Sequence, residues 1–313
     1  DWSSDVCSSD LPFRMSFSSR AVALGALSIT LLFFLCALLI LRYDFFTNKK
    51  DFPEKIAASI QTNYRCNFFD YRPYGASRAC LINSQAENKY SIALFGNSHV
   101  QMYVPAIESH LRVRNESALL VPLNSCLPTV QANISIECMR LAKINLEAIL
   151  NDKNVSIVVL GMTWYEDRLV DSSSVFIKDE DKSQLLLAIK DLIYRLESGG
   201  KKVFLIGPIM LPTYDLPSVL SRKIKFEKPD FKFVEDELRV NRSKFDAQFG
   251  TILVELDTLL GDRLILPSNK FCDHEFCQFG DFDGVYFADS NHLGTYGVTK
   301  LEGLFRVIFA GAN

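Results

Sequence analysis

Four short apolar runs, each followed by a stretch with helical spacing, constrain this chain more than any other feature. The runs are SIALF from Ser91, ALLVPL from Ala118, SIVVLG from Ser156 and KVFLIG from Lys202. Each has a strand's length and is apolar on both faces. Between them lie amphipathic stretches of ten or more residues: VQMYVPAIESHLRV from Val100, Ile136 to Leu150, and Asp181 to Leu196. A long helical region from Phe233 to Leu260, a short apolar run near Leu264, the VYF stretch at Val285 to Phe287 and a closing helix from Thr295 to Phe309 complete the pattern. Alternation of this kind predicts an α/β fold, a doubly wound parallel sheet covered on both faces. Right-handed crossovers then bring the carboxyl ends of all the strands to one edge. Residues just after each run are therefore the ones to search for chemistry.

The first such residue is a serine. In SIALFGNSHV the strand ends at Gly96, and Ser98 sits in the sharp turn before the helix. Its hydroxyl and the helix's first amides would share the sheet edge, where an oxyanion could be stabilised. A base is offered far downstream in ADSNHLGTYG, where Asp289 and His292 lie three apart. His292 can take the Ser98 proton while Asp289 accepts the Nδ1 proton and fixes the tautomer. The competing readings are a plain Gly-Asn-Ser turn and an aspartate that caps the last helix.

Composition narrows the setting. The net charge is −3 without a basic block in the soluble part, which argues against a nucleic-acid partner. Ala21 to Leu41 holds 21 residues without a charge, with Ser28 and Thr30 its only hydroxyls. At about 30 Å it is predicted to span a membrane, and it lacks the cleavage site of a signal peptide. Basic residues flank both ends, so they do not set its orientation. Residues 1–11, DWSSDVCSSDL, are unpatterned and resemble translated adapter sequence, which sets Cys7 aside. Met15 would then belong to a longer protein whose upstream part is missing. Apart from Cys7 and the intramembrane Cys36, the cysteines fall into three close pairs: Cys66 with Cys80, Cys126 with Cys138, and Cys272 with Cys277. Such pairs read as short-loop disulfides in an oxidising compartment. Free thiols and a metal site are the other readings, the latter weakened because CDHEFC supplies two sulfurs and His274 at most.

FGNSH at 95–99, NSCLP at 124–128, VVLGMTWY at 158–165, and CDHEFC followed by YFADSNHLGTYG resemble the SGNH (GDSL-like) hydrolase superfamily. The likeness is to the periplasmic SGNH domains fused to acyltransferase-3 proteins that O-acetylate bacterial surface polysaccharides. It implies a flavodoxin-like three-layer sandwich, with Ser98 as nucleophile, His292 as base and Asp289 as orienting acid. Two departures stand out. Asn97 replaces the family's usual Asp, and no G-x-N-D supplies the oxyanion-hole Asn; Gly161 and Trp164 occupy that block. The Ser98 amide is the one oxyanion donor the resemblance assigns. Gly161, Trp164 and His99 are candidates for the oxyanion site or substrate groove, while a core aromatic and a helix cap are the plainer readings of Trp164 and His99.

The expected organisation is a leader over 1–20, a transmembrane helix over 21–42, an extracytoplasmic linking region over 43–90 and an SGNH-like catalytic domain over 91–313. The resemblance implies an inner-membrane protein with this domain in the periplasm. It would transfer an acyl group, supplied by a membrane acyltransferase domain, through an acyl-Ser98 intermediate to a carbohydrate acceptor such as lipopolysaccharide O-antigen. No cofactor or metal is called for. A carbohydrate O-acetylesterase and a non-catalytic polysaccharide-binding module are the alternatives.

Overall fold

The computed structural model describes residues 19–43, 61–62, 70–84, 90–227, 238–281 and 283–310. Two compact units divide the chain at Phe52 and Pro53. In the first, Ser19–Tyr43 forms a helix, α1. Ser28 and Thr30 donate their hydroxyls to carbonyls one turn back, at Leu24 and Ala26, which satisfies them without outside partners. Among the described residues no helix is long and apolar enough to cross a membrane. The expected span over 21–42 is therefore corrected, and with it the single-span inner-membrane topology.

The second unit is built on one seven-stranded sheet: β1 (Arg72–Tyr74), β2 (Ser77–Ile82), β3 (Tyr90–Gly96), β4 (Ser117–Pro122), β5 (Ile157–Gly161), β6 (Lys202–Ile206) and β7 (Leu264–Ile265). Their order is β1-β2-β4-β3-β5-β6-β7. The five strands from β4 to β7 in this order run parallel, while β1 and β2 pair antiparallel at one edge. The sheet is thus mixed, which corrects the expectation of a wholly parallel one. β1 and β2 come from a stretch of the chain without a clear period, and six residues such as SRACLI carry little pattern of their own.

Strand alternation explains the two cores. Ile92 and Leu94 face one side of the sheet and Ala93 and Phe95 the other. The first side is covered by α3 (Val104–Arg114), by the helix Leu216–Glu227 and by the C-terminal segment around Phe305. The second is covered by α4 (Ile136–Asn151), α5 (Ser183–Ser198) and α6 (Arg242–Leu260). After β3 the helix is broken: α2 is the single turn Ser98–Gln101, and α3 starts afresh at Val104 with Pro105 in its first turn, where a missing N–H costs nothing. Of the VYF stretch only Val285 lies in a strand, Gly284–Val285, which forms a two-stranded ribbon with Gly280–Asp281 outside the main sheet. The closing segment is the helix Thr295–Thr299 followed by a 3-10 turn over Glu302–Phe309.

The chain leaves β3 toward β4 on one side and later returns to build β5, β6 and β7 on the other. Ser98 follows the strand at which this direction reverses. In open α/β sheets that point carries a crevice at the carboxyl edge.

Candidate active site

The turn that presents Ser98 is set by two glycines. Gly96 pairs with Pro122 on one side and Gly161 on the other. It has φ +154°, and a Cβ on it would overlap the Gly161 carbonyl oxygen. A Cβ on Gly161 would lie 2.9 Å from Val100 Cβ, so neither position admits a side chain without movement. Asn97 is buried, and its Oδ1 accepts the His99 amide at 3.0 Å. The residue that departs from the family's Asp is therefore the cap of α2, and it does this without a charge beside Ser98.

Asp289 and His292 come from the loop between the ribbon and the last helix. His292 Nε2 lies 2.8 Å from Ser98 Oγ, and His292 Nδ1 lies 3.0 Å from Asp289 Oδ2. The other carboxylate oxygen, Oδ1, accepts the amides of Asn291 and His292, both at 2.7 Å. Asp289 thus caps its own loop rather than the following helix, whose N-cap is Gly294 without a side-chain bond. Burial raises the Asp289 pKa, but the His292 ring and the two amides outweigh it and hold the carboxyl down to about 2. A carboxylate fixed in this way keeps the proton on His292 Nδ1 and leaves Nε2 to accept from the serine hydroxyl.

His99 is buried beneath this arrangement. Its Nε2–H donates to Asn291 Oδ1 at 3.2 Å, and its ring centroid lies 5.4 Å from that of His292. Burial first, and then the neighbouring His292, lower its pKa to about 4, so it stays neutral at ordinary pH. It neither caps its helix nor offers Nε2 to a ligand; it ties α2 to the histidine loop. Leu293 adds a second tie through its amide to Met102 Sδ at 3.4 Å. Trp164 is a core residue, its indole N–H donating to the Ile206 carbonyl at 3.2 Å. It is therefore not placed to line a groove. Gly161 is buried in the strand pairing.

Among the described residues two disulfides have both partners in view, Cys126–Cys138 and Cys272–Cys277. The expected Cys66–Cys80 pairing involves Cys66, which lies outside the described residues. The sequence reading assigned no role to Asn291, Gln101 or Asn124, although Asn124 stands in the NSCLP segment and Asn291 between Asp289 and His292. Gln101 donates from Nε2 to Asn124 Oδ1 at 2.8 Å. Beside Asn124, on the far side of β4, a cavity of about 330 Å³ opens between Tyr71, Arg78, Pro122 and Leu141. Among the described residues no cluster of His, Cys, Asp and Glu is arranged to hold a metal ion.

Comparison with curated protein sequences finds no match. Among solved structures, the chain resembles the periplasmic domain of the lipopolysaccharide acetyltransferase of Salmonella ser. Paratyphi A. The TM-score is 0.50 at 15% identity, over 72% of this chain and 85% of that one. A candidate acylhydrolase from Bacteroides fragilis matches at TM-score 0.36 and 11% identity, over 72% of this chain and 90% of that one. The former likeness is one of fold. Residues 65–307 match the family model of the SGNH domain fused to AT3 domains. The chain therefore belongs to that SGNH family and is an enzyme of the hydrolase and acyltransferase type.

Proposed function

We propose that this enzyme transfers an acyl group, acetyl in the simplest case, through an ester of Ser98 to a carbohydrate hydroxyl. The observation that carries the reading is the unbroken chain from Asp289 through His292 to Ser98, at 3.0 and 2.8 Å, at the point where the sheet reverses direction. Ser98 Oγ adds to the carbonyl carbon of the acyl donor while its proton passes to His292 Nε2. Collapse of the tetrahedral intermediate expels the donor's oxygen, which leaves with that proton. The acceptor hydroxyl then repeats the sequence in reverse order, its proton taken by His292 and Ser98 released. Asp289 stays a carboxylate throughout and stabilises the imidazolium that forms at each step.

Fusion of family members to AT3 domains supports an acyl donor delivered by such a domain. The lipopolysaccharide acetyltransferase domain among the structural relatives supports a surface polysaccharide as acceptor. The cavity beside Asn124, with the Tyr71 ring on its wall, offers a volume suited to a sugar ring. Two disulfides on the same unit fit an oxidising compartment, where such polymers are modified. Water in place of the sugar hydroxyl gives the esterase reading, with the same residues in the same roles.

The test is mass spectrometry of the full chain quenched during turnover of an acetyl ester, with and without an oligosaccharide acceptor. The expected result is an acetyl adduct on the Ser98 peptide, absent in Ser98→Ala, and acetylated sugar when acceptor is present. Turnover by Ser98→Ala at the wild-type rate would remove the covalent mechanism. Release of acetate alone in the presence of acceptor and the AT3 domain would leave only the esterase.

A further inference from the structure

We propose that Asn124 is the side-chain donor that stabilises the oxyanion formed when Ser98 attacks its ester, an inference that rests on the acyl-Ser98 reading above. Placement is the first argument. Gly96 and Pro122 are paired in register, and Ser98 and Asn124 each lie two residues beyond them, at the same level of the carboxyl edge. The chains stay together past the last strand pair, because the Leu123 amide donates to the Gly96 carbonyl at 2.7 Å. Asn124 is itself exposed at this edge, open to a substrate.

Orientation is the second argument. Gln101 is buried and stands three residues after Ser98 in the single turn of α2, so both side chains lie on one face. Its Nε2 donates to Asn124 Oδ1 at 2.8 Å. That bond occupies the amide oxygen and turns the two Nδ2 hydrogens away from Gln101; among the described residues no acceptor takes them. A donor at the same sheet edge as the nucleophile, with no acceptor among the described residues, is what an oxyanion requires. The turn is also rigid. The Cys126 amide donates to the Leu123 carbonyl at 3.0 Å, Ser125 sits at φ +59°, and Cys126 is bonded to Cys138 on α4. On the other flank of Ser98 the equivalent position is Thr163, whose hydroxyl oxygen accepts the Tyr165 amide, beside the buried Trp164.

In the step itself, the bond from Ser98 Oγ to the carbonyl carbon forms as the π electrons settle on the carbonyl oxygen. The Ser98 proton goes to His292 Nε2, and the new oxyanion accepts from Asn124 Nδ2–H and the Ser98 amide. Collapse returns the electron pair and expels the leaving oxygen with the proton from His292.

The experiment is steady-state hydrolysis of p-nitrophenyl acetate by the full chain carrying Asn124→Ala or Asn124→Asp, with Ser98→Ala and His292→Ala as controls. Affinity for a trifluoromethyl ketone that forms a hemiketal with Ser98 is measured alongside. Asn124→Asp keeps the oxygen that Gln101 Nε2 bonds and should melt as the wild type does, while Asn124→Ala leaves the buried Gln101 without that acceptor and should melt lower. Their kcat should fall on the order of 10²- to 10³-fold, with KM changed little and ketone affinity falling in parallel. A kcat within tenfold of wild type in Asn124→Ala, while Ser98→Ala and His292→Ala are inactive, would overturn the role of Asn124 and leave the triad standing. Activity retained in Ser98→Ala and His292→Ala would instead overturn the acyl-Ser98 reading on which this inference rests.

Discussion

Around Ser98 the backbone sets position, whereas around His292 side chains do. Gly96 is clamped between Pro122 and Gly161 within the run of five parallel strands, and the serine follows two residues later in a helical turn packed on that clamp. His292 sits on a loop outside the sheet. Its anchors are the Asp289 carboxylate, the bond from His99 to Asn291 and the Leu293 amide on Met102. One half of the site is therefore inseparable from the fold, and the other can be altered while the fold stands. Stability and rate should respond together in the first half and separately in the second.

The largest separation is expected at the histidine loop. Asp289→Asn keeps an oxygen to cap the Asn291 and His292 amides, so the loop should persist. The new amide hydrogens, however, face His292 Nδ1 and force the wrong tautomer. Rate should fall by about 10⁴-fold, the scale seen for the equivalent change in a serine protease, with the melting temperature unchanged. His292→Ala should lose at least as much, again without unfolding, because the residue is on a part-exposed loop. Acyl-ester turnover and a thermal melt on each variant decide the matter. Wild-type rates in His292→Ala would dissolve the distinction between the halves.

Gly161→Ala tests the opposite half. Its Cβ would meet Val100 Cβ at 2.9 Å, within α2 itself. Overpacking of this kind costs about 1–3 kcal/mol. It should also push the serine turn off His292, and a displacement near 1 Å is enough to lower rate by about 10²-fold. Denaturant unfolding and turnover should therefore fall together. A variant that loses rate at full stability would show that the serine turn is no more bound to the fold than the loop is.

The same division explains what could be read from the sequence. The four main strands and the helices over 136–151 and 183–198 were legible because long apolar periods are local signals, and a serine after a strand and an Asp–His pair three apart mark the residues that the structure brings together. What brings these residues together, by contrast, was not legible. His99, Asn291, Gln101 and Asn124 act through bonds between residues 23 to 192 positions apart, and no local pattern shows those pairings. Short pieces failed for a related reason. β1 and β2 gain their strand character from pairing at the sheet edge, and Trp164 carries both a groove and a core reading in the sequence, between which the bond from its indole to the neighbouring strand favours the core.

The smallest effect on rate, and the one that probes the join between the halves, concerns His99. Its ring is buried against His292 and holds Asn291, and its pKa lies at about 4 rather than near 6.5. Between those values the unfolded chain takes up a proton that the native protein refuses, so native stability falls as pH drops from about 6.5 and the loss is complete near 4. The size follows from the gap between the two pKa values, about 3 kcal/mol as an order of magnitude. His99→Gln retains an N–H near the position of Nε2 for the bond to Asn291 but cannot be protonated. At pH 7 the variant should turn over within tenfold of wild type, since the bond that orients the loop survives. Between pH 7 and 4 it should lose less stability than the wild type by most of that 3 kcal/mol, and urea unfolding at each pH measures the difference. Parallel curves for the two proteins would mean that His99 takes up its proton without disturbing the fold, and that the histidine loop is held by Asp289 and Met102 alone.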